Sequence, residues 1–274
     1  MKIILLGPNG MLGNYLNIFL KKYYKIIPVD RNQLDALNTD IIKMEQLMEQ
    51  LGCDGNTIII NCIGIIPQRT NTIDTLPFIR INAEFPHLLN AIAQKYSAKF
   101  IHITTDCIYN GKKGQYNEYD KATEKNIYGM SKSLGEPLSA MIIRTSIIGE
   151  ELFNKKSLLE WVKGQNGKII KGFENHLWNG VTCLQFAQII HQIISNDLYW
   201  TGVRHIFSPN SISKYELVKQ IVKEFNLDIE VIPDRTGDLC DKTLSSIYKI
   251  NEILNIPDIT DQIKDLKSFS HYFI

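Results

Sequence analysis

The sequence is poor in cysteine, balanced in charge and free of long apolar runs. Its five cysteines, Cys53, Cys62, Cys107, Cys183 and Cys240, show no Cys-x-x-Cys spacing, and its six histidines do not cluster with them. This pattern argues against a zinc site and a disulfide framework, favours a reducing cytoplasm and predicts no metal. With 30 basic and 29 acidic residues, the chain gives no electrostatic case for nucleic-acid binding. The lack of an apolar run of about 18 residues predicts no membrane span.

The N-terminus has the order strand, glycine turn, helix. Residues 2–6 form a short apolar run, typical of a buried parallel strand, and Gly7, Gly10 and Gly13 follow it. Glycines let the backbone approach a pyrophosphate closely, and a helix N-terminus offers N–H groups and partial positive charge. The segment therefore predicts a dinucleotide site. Its Gly-x-x-Gly-x-x-Gly spacing differs from the usual Gly-x-Gly-x-x-Gly, and a glycine turn without a ligand is the alternative.

A second apolar run, residues 26–29, ends in Asp30 and Arg31, where a second strand faces the adenosine ribose. An acidic residue at this place favours the free hydroxyls of NAD, whereas an arginine can bind the 2′-phosphate of NADP. The chain has both residues. Because Arg31 offers a phosphate a direct partner, NADP(H) is the favoured cofactor and NAD(H) is the alternative.

Strand-like and helical patterns alternate through residues 1–150. Strand-like runs cover 57–61, 100–103 and 141–144, and helical patterns lie near 40–51 and 79–96. This alternation predicts an α/β fold with a doubly wound, Rossmann-like parallel sheet over 1–150.

The pattern changes beyond residue 150. Helical segments near 156–164, 182–196 and 213–225 are separated by short strand-like pieces at 168–171, 203–207 and 229–232. We interpret 151–274 as a smaller α/β substrate lobe. The boundary is expected to be interleaved, with parts of 175–210 returning to the first domain.

Residues just after the predicted strands are the first candidates for a site, because ligands bind outside the carboxyl ends of parallel strands. Tyr128 and Lys132 are further candidates. They are four residues apart and share one face of a predicted helix. A lysine beside a tyrosine favours the phenolate, so that the phenol can exchange a proton nearer neutral pH. A solvated helix face is the alternative.

With these pieces in order, the chain resembles the extended short-chain dehydrogenase/reductase family, and within it the dTDP-4-dehydrorhamnose reductases. The resemblance covers nearly the whole chain and is carried by the glycine turn, Asn61-Cys62-Ile63-Gly64, Asn82, Thr104-Thr105-Asp106, Tyr128 with Lys132, and Arg144-Thr145-Ser146. It implies NADPH-dependent reduction of a nucleotide-diphospho-4-keto-6-deoxy-hexose. In that reaction Tyr128 donates a proton to the developing alkoxide and Thr105 hydrogen-bonds the same oxygen. Lys132 binds the nicotinamide ribose and lowers the Tyr128 pKa. Members of this family commonly form homodimers, so the resemblance also implies a homodimer.

The expected site residues fall into two groups. The cofactor contacts are Gly7, Asn9, Gly10, Met11, Leu12, Asp30, Arg31, Asp35, Ala36, Cys62, Ile63, Gly64, Tyr128 and Lys132. The substrate contacts are Thr105, Asp106, Cys107, Trp178 and Arg235.

The chain also departs from the family it resembles. Cys107 stands where the reductases commonly have an aromatic residue. This resembles the bifunctional 3,5-epimerase/4-reductases, which use a cysteine and a lysine in the reductase pocket; Lys171 is the expected partner here. Ile147 stands where the rhamnose reductases have a tryptophan. Two alternatives to a simple reductase therefore remain: a bifunctional epimerase/reductase that uses Cys107, and a non-catalytic regulatory subunit that binds NADP or a sugar nucleotide.

Overall fold

The computed structural model describes residues 1–69, 74–153 and 155–273. Its strands are β1 (Lys2–Leu6), β2 (Lys25–Val29), β3 (Thr57–Asn61), β4 (Lys99–Thr105), β5 (Met141–Thr145), β6 (Ile147–Ile148), β7 (Lys168–Phe173), β8 (His176–Trp178), β9 (Val181–Thr182), β10 (Gly202–His205), β11 (Ile212–Ser213), β12 (Ile229–Asp234) and β13 (Cys240–Asp241). Its α-helices are α1 (Met11–Leu20), α2 (Ile41–Gln50), α3 (Leu76–Phe78), α4 (Phe85–Lys95), α5 (Ile127–Leu134), α6 (Leu158–Lys163), α7 (Cys183–Ser195), α8 (Lys214–Glu224), α9 (Ile250–Ile253) and α10 (Ile259–Phe269). A π-helix spans Ile79–Glu84, and short 3₁₀ turns cover Pro67–Arg69, Asp106–Ile108 and Ser270–Phe273.

Six parallel strands form the main sheet, in the order β2-β1-β3-β4-β5-β10. The chain moves from β1 to β2 on one side and then crosses to β3 on the other side of β1. Such a reversal opens a crevice at the carboxyl ends of the strands, and ligands bind in crevices of this kind. The prediction of a doubly wound, Rossmann-like sheet is confirmed.

Both faces of the main sheet are covered by helices. On β1, Ile3 and Leu5 belong to one apolar cluster, together with residues of α1, α7 and α10. Ile4 and Leu6 alternate with them and join a second cluster with residues of α2 and α4. All four side chains are fully buried, and each contributes roughly 1.5–3 kcal/mol by leaving water. This explains why β1 is an unbroken apolar run rather than an alternating one.

The remaining strands form small sheets after residue 145. β7 and β12 pair in parallel, β8 lies between β11 and β13, and β6 pairs with β9. However, β10 lies in the main sheet beside β5, and α7 packs against α1. The division into domains at residue 150 stays a prediction. Within the described ranges, no helix has the length and apolar character needed to cross a membrane.

Two parts of the fold differ from the sequence prediction. The helix expected over 79–96 begins as the π-helix and continues as α4. The helix α10 was not predicted, although it buries Ile259, Ile263, Leu266 and Phe269 at helical spacing.

Candidate active site

A cavity of about 400 Å³ lies at the carboxyl ends of β1, β3, β4 and β5. It is lined by eleven of the predicted site residues: Gly10, Met11, Leu12, Cys62, Ile63, Gly64, Thr105, Asp106, Cys107, Tyr128 and Lys132. The crevice that the strand order creates is therefore the place where the candidate residues meet.

The glycine turn is closed by its own backbone. Gly7 has φ +77°, donates its N–H to Val29 O at 3.1 Å, and accepts from Gly10 N at 3.1 Å. A Cβ atom on Gly13 would lie 2.0 Å from Gly7 O, so α1 packs against the turn more closely than a side chain permits. Helix α1 begins at Met11, directly after Gly10, which has no side chain to cap it. This cradle fits a pyrophosphate, since backbone N–H groups and the helix dipole can approach it closely.

Six predicted cofactor residues are outside the cavity lining: Gly7, Asn9, Asp30, Arg31, Asp35 and Ala36. Asp30 caps its own loop, because its Oδ1 accepts from Asn32 N at 2.9 Å and from Gln33 N at 3.2 Å. The Arg31 side chain is 77 % exposed, and its Nε lies 3.4 Å from Asp35 Oδ1. Ala36 is buried in the apolar cluster of α2 and α4. Of these, Arg31 has a charged group that can reach a ligand at the rim.

Helix α5 carries the two central candidates. The Asn126 side chain caps it by accepting from Gly129 N at 2.9 Å. A Cβ atom on Gly129 would lie 2.6 Å from Cys107 O, so this glycine lets α5 approach the 3₁₀ turn after β4. Tyr128 and Thr105 line the same cavity, and the Thr105 hydroxyl acts to lower the pKa of Tyr128.

The electrostatics of Tyr128 and Lys132 correct one expectation. Burial raises the pKa of Tyr128, Cys107 and Asp106 raise it further, and the Thr105 hydroxyl only partly opposes them. The net lowering of this pKa that was expected from Lys132 is not found, because burial has the largest effect. Lys132 Nζ donates a hydrogen bond to Ile103 O, 3.1 Å away. Burial lowers the pKa of Lys132 to about 8, against the charges of Glu136 and Cys62. Tyr128 is therefore an acid at neutral pH in this structure.

Asn82 of the π-helix supports the wall beside Lys132. Its Nδ2 donates to Ile65 O at 3.0 Å and to Ser131 Oγ at 3.2 Å, and its Oδ1 accepts from Ile65 N at 2.9 Å. The π-helix turns this buried amide toward α5, and such bulges are frequent at functional sites. Asn82 thus fixes the segment after β3 to α5.

The turn after β4 forms the part of the cavity around Asp106 and Cys107. Asp106 is 4 % exposed and hydrogen-bonds Ser146, and the charges of Lys214 and Lys242 face it. Sequence reasoning did not select Lys214; its Nζ lies 4.9 Å from the centre of the Trp178 ring. Burial raises the pKa of the Cys107 thiol to about 12, and Asp106 adds to the increase.

Three predicted residues are not brought to the cavity. Lys171 is 66 % exposed on β7, and its Nζ lies 3.8 Å from Asp234 Oδ2. Because it points away into an ion pair, Lys171 does not pair with Cys107; the lysines that face this thiol are Lys242 and Lys214. Arg235 is exposed and forms an ion pair with Glu174. Trp178 is 4 % exposed and belongs to the apolar core instead of the cavity wall.

Comparison with known proteins decides the family. Residues 1–242 match the family described as the RmlD substrate binding domain. The chain belongs to this family. The spore coat polysaccharide biosynthesis protein SpsK of Bacillus subtilis is 24 % identical over 268 residues, which cover 91 % of this chain and 88 % of that protein. A dTDP-4-dehydrorhamnose reductase of Burkholderia thailandensis is 27 % identical over 137 residues, covering 50 % and 44 %.

A solved structure shares the fold of this RmlD-family chain. The dTDP-4-dehydrorhamnose reductase of Bacillus anthracis, crystallised in complex with NADP, superimposes with a TM-score of 0.81 at 23 % identity. The match covers 98 % of this chain and 99 % of the other. The resemblance inferred from the motifs is confirmed.

One further wall of the RmlD-family cavity was missed at the level of sequence. It consists of Thr145, the last residue of β5, and of residues that follow it: Ser146, Ile147, Glu151, Lys156, Ser157 and Leu158. Glu151 shapes this segment, because its Oε2 accepts from Lys156 N at 2.5 Å and Ser157 N at 3.0 Å. The motif Arg144-Thr145-Ser146 was the available signal, since it follows a strand of the main sheet.

Proposed function

We propose that this chain is an NADPH-dependent reductase of a nucleotide-diphospho-4-keto-6-deoxy-hexose, similar to the dTDP-4-dehydrorhamnose reductases. One observation carries the proposal: the half-buried Tyr128, whose pKa is raised, and Thr105 lie on the wall of a cavity that the glycine turn also lines. The family supports an oxidoreductase that acts on sugar nucleotides, and the NADP complex of the Bacillus anthracis protein supports NADP(H). NAD(H) stays the alternative cofactor. The homodimer and the cytoplasmic location stay predictions.

The chain's own residues supply acid catalysis and positioning. A bound nicotinamide supplies the hydride that reduces the ketone carbon. Tyr128 then gives its phenolic proton to the alkoxide oxygen, a contribution typically worth about 10²–10⁴ in rate. Its raised pKa keeps that proton in place at neutral pH. Lys132 provides a buried cation beside Gly64 on the cofactor side of the cavity, where it can hold ribose hydroxyls.

A bifunctional epimerase/reductase is the second candidate, because the Cys107 thiol lines the cavity near Tyr128. An epimerase must remove a proton from a carbon next to the carbonyl. A thiol with a pKa of about 12 is a poor base at neutral pH. The simple reductase is therefore preferred. Proton exchange at sugar C3 that is lost in Cys107→Ser would favour the bifunctional enzyme instead.

The proposal is tested by following nicotinamide absorbance with dTDP-, UDP- and GDP-linked 4-keto-6-deoxy sugars. We expect NADPH oxidation with one of them, and a loss of at least about 10²-fold in kcat for Tyr128→Phe. Tyr119→Phe is the matched control, because Tyr119 is 81 % exposed. Tight binding of cofactor and sugar nucleotide without turnover of any substrate would overturn the proposal in favour of a regulatory subunit.

A further inference from the structure

Two cationic side chains belong to the cavity lining among the residues that the structure describes, Lys132 and Lys156. Lys132 is buried, and its Nζ donates to Ile103 O at 3.1 Å. Lys156 is exposed, and within the described residues its ammonium makes no hydrogen bond or ion pair. Lys156 therefore offers the cavity a positive charge that is available to a ligand.

Glu151 and Ser157 close the turn that carries Lys156. Glu151 Oε2 accepts from Lys156 N at 2.5 Å and from Ser157 N at 3.0 Å. Ser157 Oγ donates to Gly149 O at 3.0 Å, and Glu151 N donates to Glu160 Oε1 at 3.1 Å. The carboxylate of Glu151 thus binds backbone N–H groups. The backbone of Lys156 is held beside the cavity while its side chain stays unpaired.

The segment that leads into this turn packs on α1, the helix that starts directly after the glycine turn. Tyr15 Oη accepts from Glu150 N at 3.1 Å, and a Cβ atom on Gly149 would lie 3.0 Å from Tyr15 Cε2. Tyr15 is one helical turn from Met11, which begins α1 and lines the cavity. The turn that carries Lys156 is therefore fixed to the helix whose start forms the pyrophosphate cradle.

We propose that the Lys156 ammonium binds the pyrophosphate of the dinucleotide cofactor. The glycine turn and the start of α1 offer that group only backbone dipoles, and Lys156 adds a full positive charge. A sugar nucleotide also carries a diphosphate, so the same cation can serve either ligand. The packing of its turn on α1 favours the dinucleotide. This inference rests on the cofactor part of the proposed function.

The pyrophosphate is common to NADP⁺ and NAD⁺, so loss of the charge should weaken the binding of both. We expect Lys156→Met to raise the Kd of each dinucleotide about tenfold, a typical effect of losing a hydrogen bond between charged groups. A contact with the 2′-phosphate would affect NADP⁺ alone. Because Lys156 is exposed, the effect should shrink as NaCl is raised from about 50 mM to about 500 mM.

Isothermal titration calorimetry of the full chain with NADP⁺, NAD⁺, dTDP and UDP tests the proposal. Lys156→Arg keeps the charge and should bind both dinucleotides within about twofold of the wild type. Lys155→Met is the matched control, because Lys155 is the adjacent exposed lysine and lies outside the cavity lining. Circular dichroism checks that each variant is folded.

Unchanged binding of both dinucleotides to Lys156→Met would overturn the proposal. A loss for NADP⁺ alone would also overturn it, since Lys156 would then bind the 2′-phosphate. A loss for dTDP and UDP with intact dinucleotide binding would assign Lys156 to the sugar nucleotide and overturn it as well. The titrations need no reducible sugar, so they decide this inference even if reductase activity is absent. With an active enzyme, Lys156→Met should raise KM for NADPH about tenfold and change kcat less than about twofold.

Discussion

Lys132 Nζ donates a hydrogen bond to the carbonyl oxygen of Ile103, 3.1 Å away, and so ties α5 to β4 one helical turn from Tyr128. The lysine is 6 % exposed, and its cation lies where a cofactor is expected. A buried ammonium without a carboxylate in contact is costly, and this cost shows in its pKa of about 8. The position therefore combines the proposed role in the site with a stability penalty.

Lys132→Met should stabilise the protein while reducing its activity. The lowered pKa means that the charged lysine reduces the free energy of unfolding by about 3 kcal/mol at neutral pH. Lys132→Met removes this penalty but also loses the hydrogen bond to Ile103, which offsets about 1 kcal/mol of the gain. We expect urea unfolding at pH 7 to show a net gain of about 1–2 kcal/mol. Between pH 8 and 10.5 Lys132 is protonated in the unfolded chain and neutral in the native protein. The unfolding free energy of the wild type therefore rises with pH, and the stability difference between the wild type and Lys132→Met becomes smaller. A destabilised Lys132→Met at pH 7 would contradict this.

Gly13→Ala and Gly10→Ala should differ, although both change the same turn. The new Cβ lies 2.0 Å from Gly7 O at position 13 and 3.4 Å from it at position 10. Gly13→Ala must displace backbone, and we expect a loss of about 1–3 kcal/mol in unfolding free energy together with weaker NADP⁺ binding. Gly10→Ala should keep the wild-type melting temperature. Equal melting temperatures for the two variants would show that the turn is not packed as described.

Arg31→Ala should weaken NADP⁺ binding and leave NAD⁺ binding nearly unchanged. The guanidinium is exposed and, within the part of the chain that the structure describes, its ion-pair partner is Asp35, so it can turn to a 2′-phosphate. We expect the Kd for NADP⁺ to rise about tenfold by isothermal calorimetry, which is about 1.4 kcal/mol. Lys25→Ala removes an exposed charge at the opposite end of β2 and is the control. A parallel loss for both cofactors would argue against a phosphate contact.

Arg144→Met should be strongly destabilising. Arg144 forms a bidentate pair with Glu136, with Nε to Oε1 at 2.9 Å and Nη2 to Oε2 at 2.6 Å, and both residues are buried. Removing one partner leaves a buried charge, which typically costs about 3–5 kcal/mol. Arg80→Met breaks the exposed pair with Glu84 and should cost less than about 1 kcal/mol. Chemical denaturation measures both, and similar losses would refute the argument.

The main sheet and the part of the cavity lined by the glycine turn, Tyr128 and Lys132 could be predicted because their signals are local. β1 is an apolar run followed by a glycine turn, and Tyr128 and Lys132 are spaced by one helical turn. Each signal lies within a few residues, and parallel strands bring their carboxyl ends to one edge whatever the loops contain. Thr105 and Cys107 were found for the same reason.

The part of the cavity around Asp106 could not be predicted because it depends on how distant segments of the chain pack. Lys171 lies in β7 and Lys214 directly follows β11. The packing of β7 and α8 exposes Lys171 to solvent and brings the charge of Lys214 near Asp106. The Tyr128 pKa was expected to fall because the spacing between Tyr128 and Lys132 can be read from the sequence. Burial raises this pKa instead, and burial depends on how the whole site is assembled.

The position of β10 has a consequence for synthesis on the ribosome. This strand completes the main sheet beside β5, yet it follows β5 in the chain by more than fifty residues, with Gly202 N bonded to Ala140 O at 2.8 Å. Until residue 205 has left the exit tunnel, the apolar strand β5 has an open edge that can pair with other nascent chains. The delay before β10 is available is thus a period in which the edge of β5 is open to such pairing.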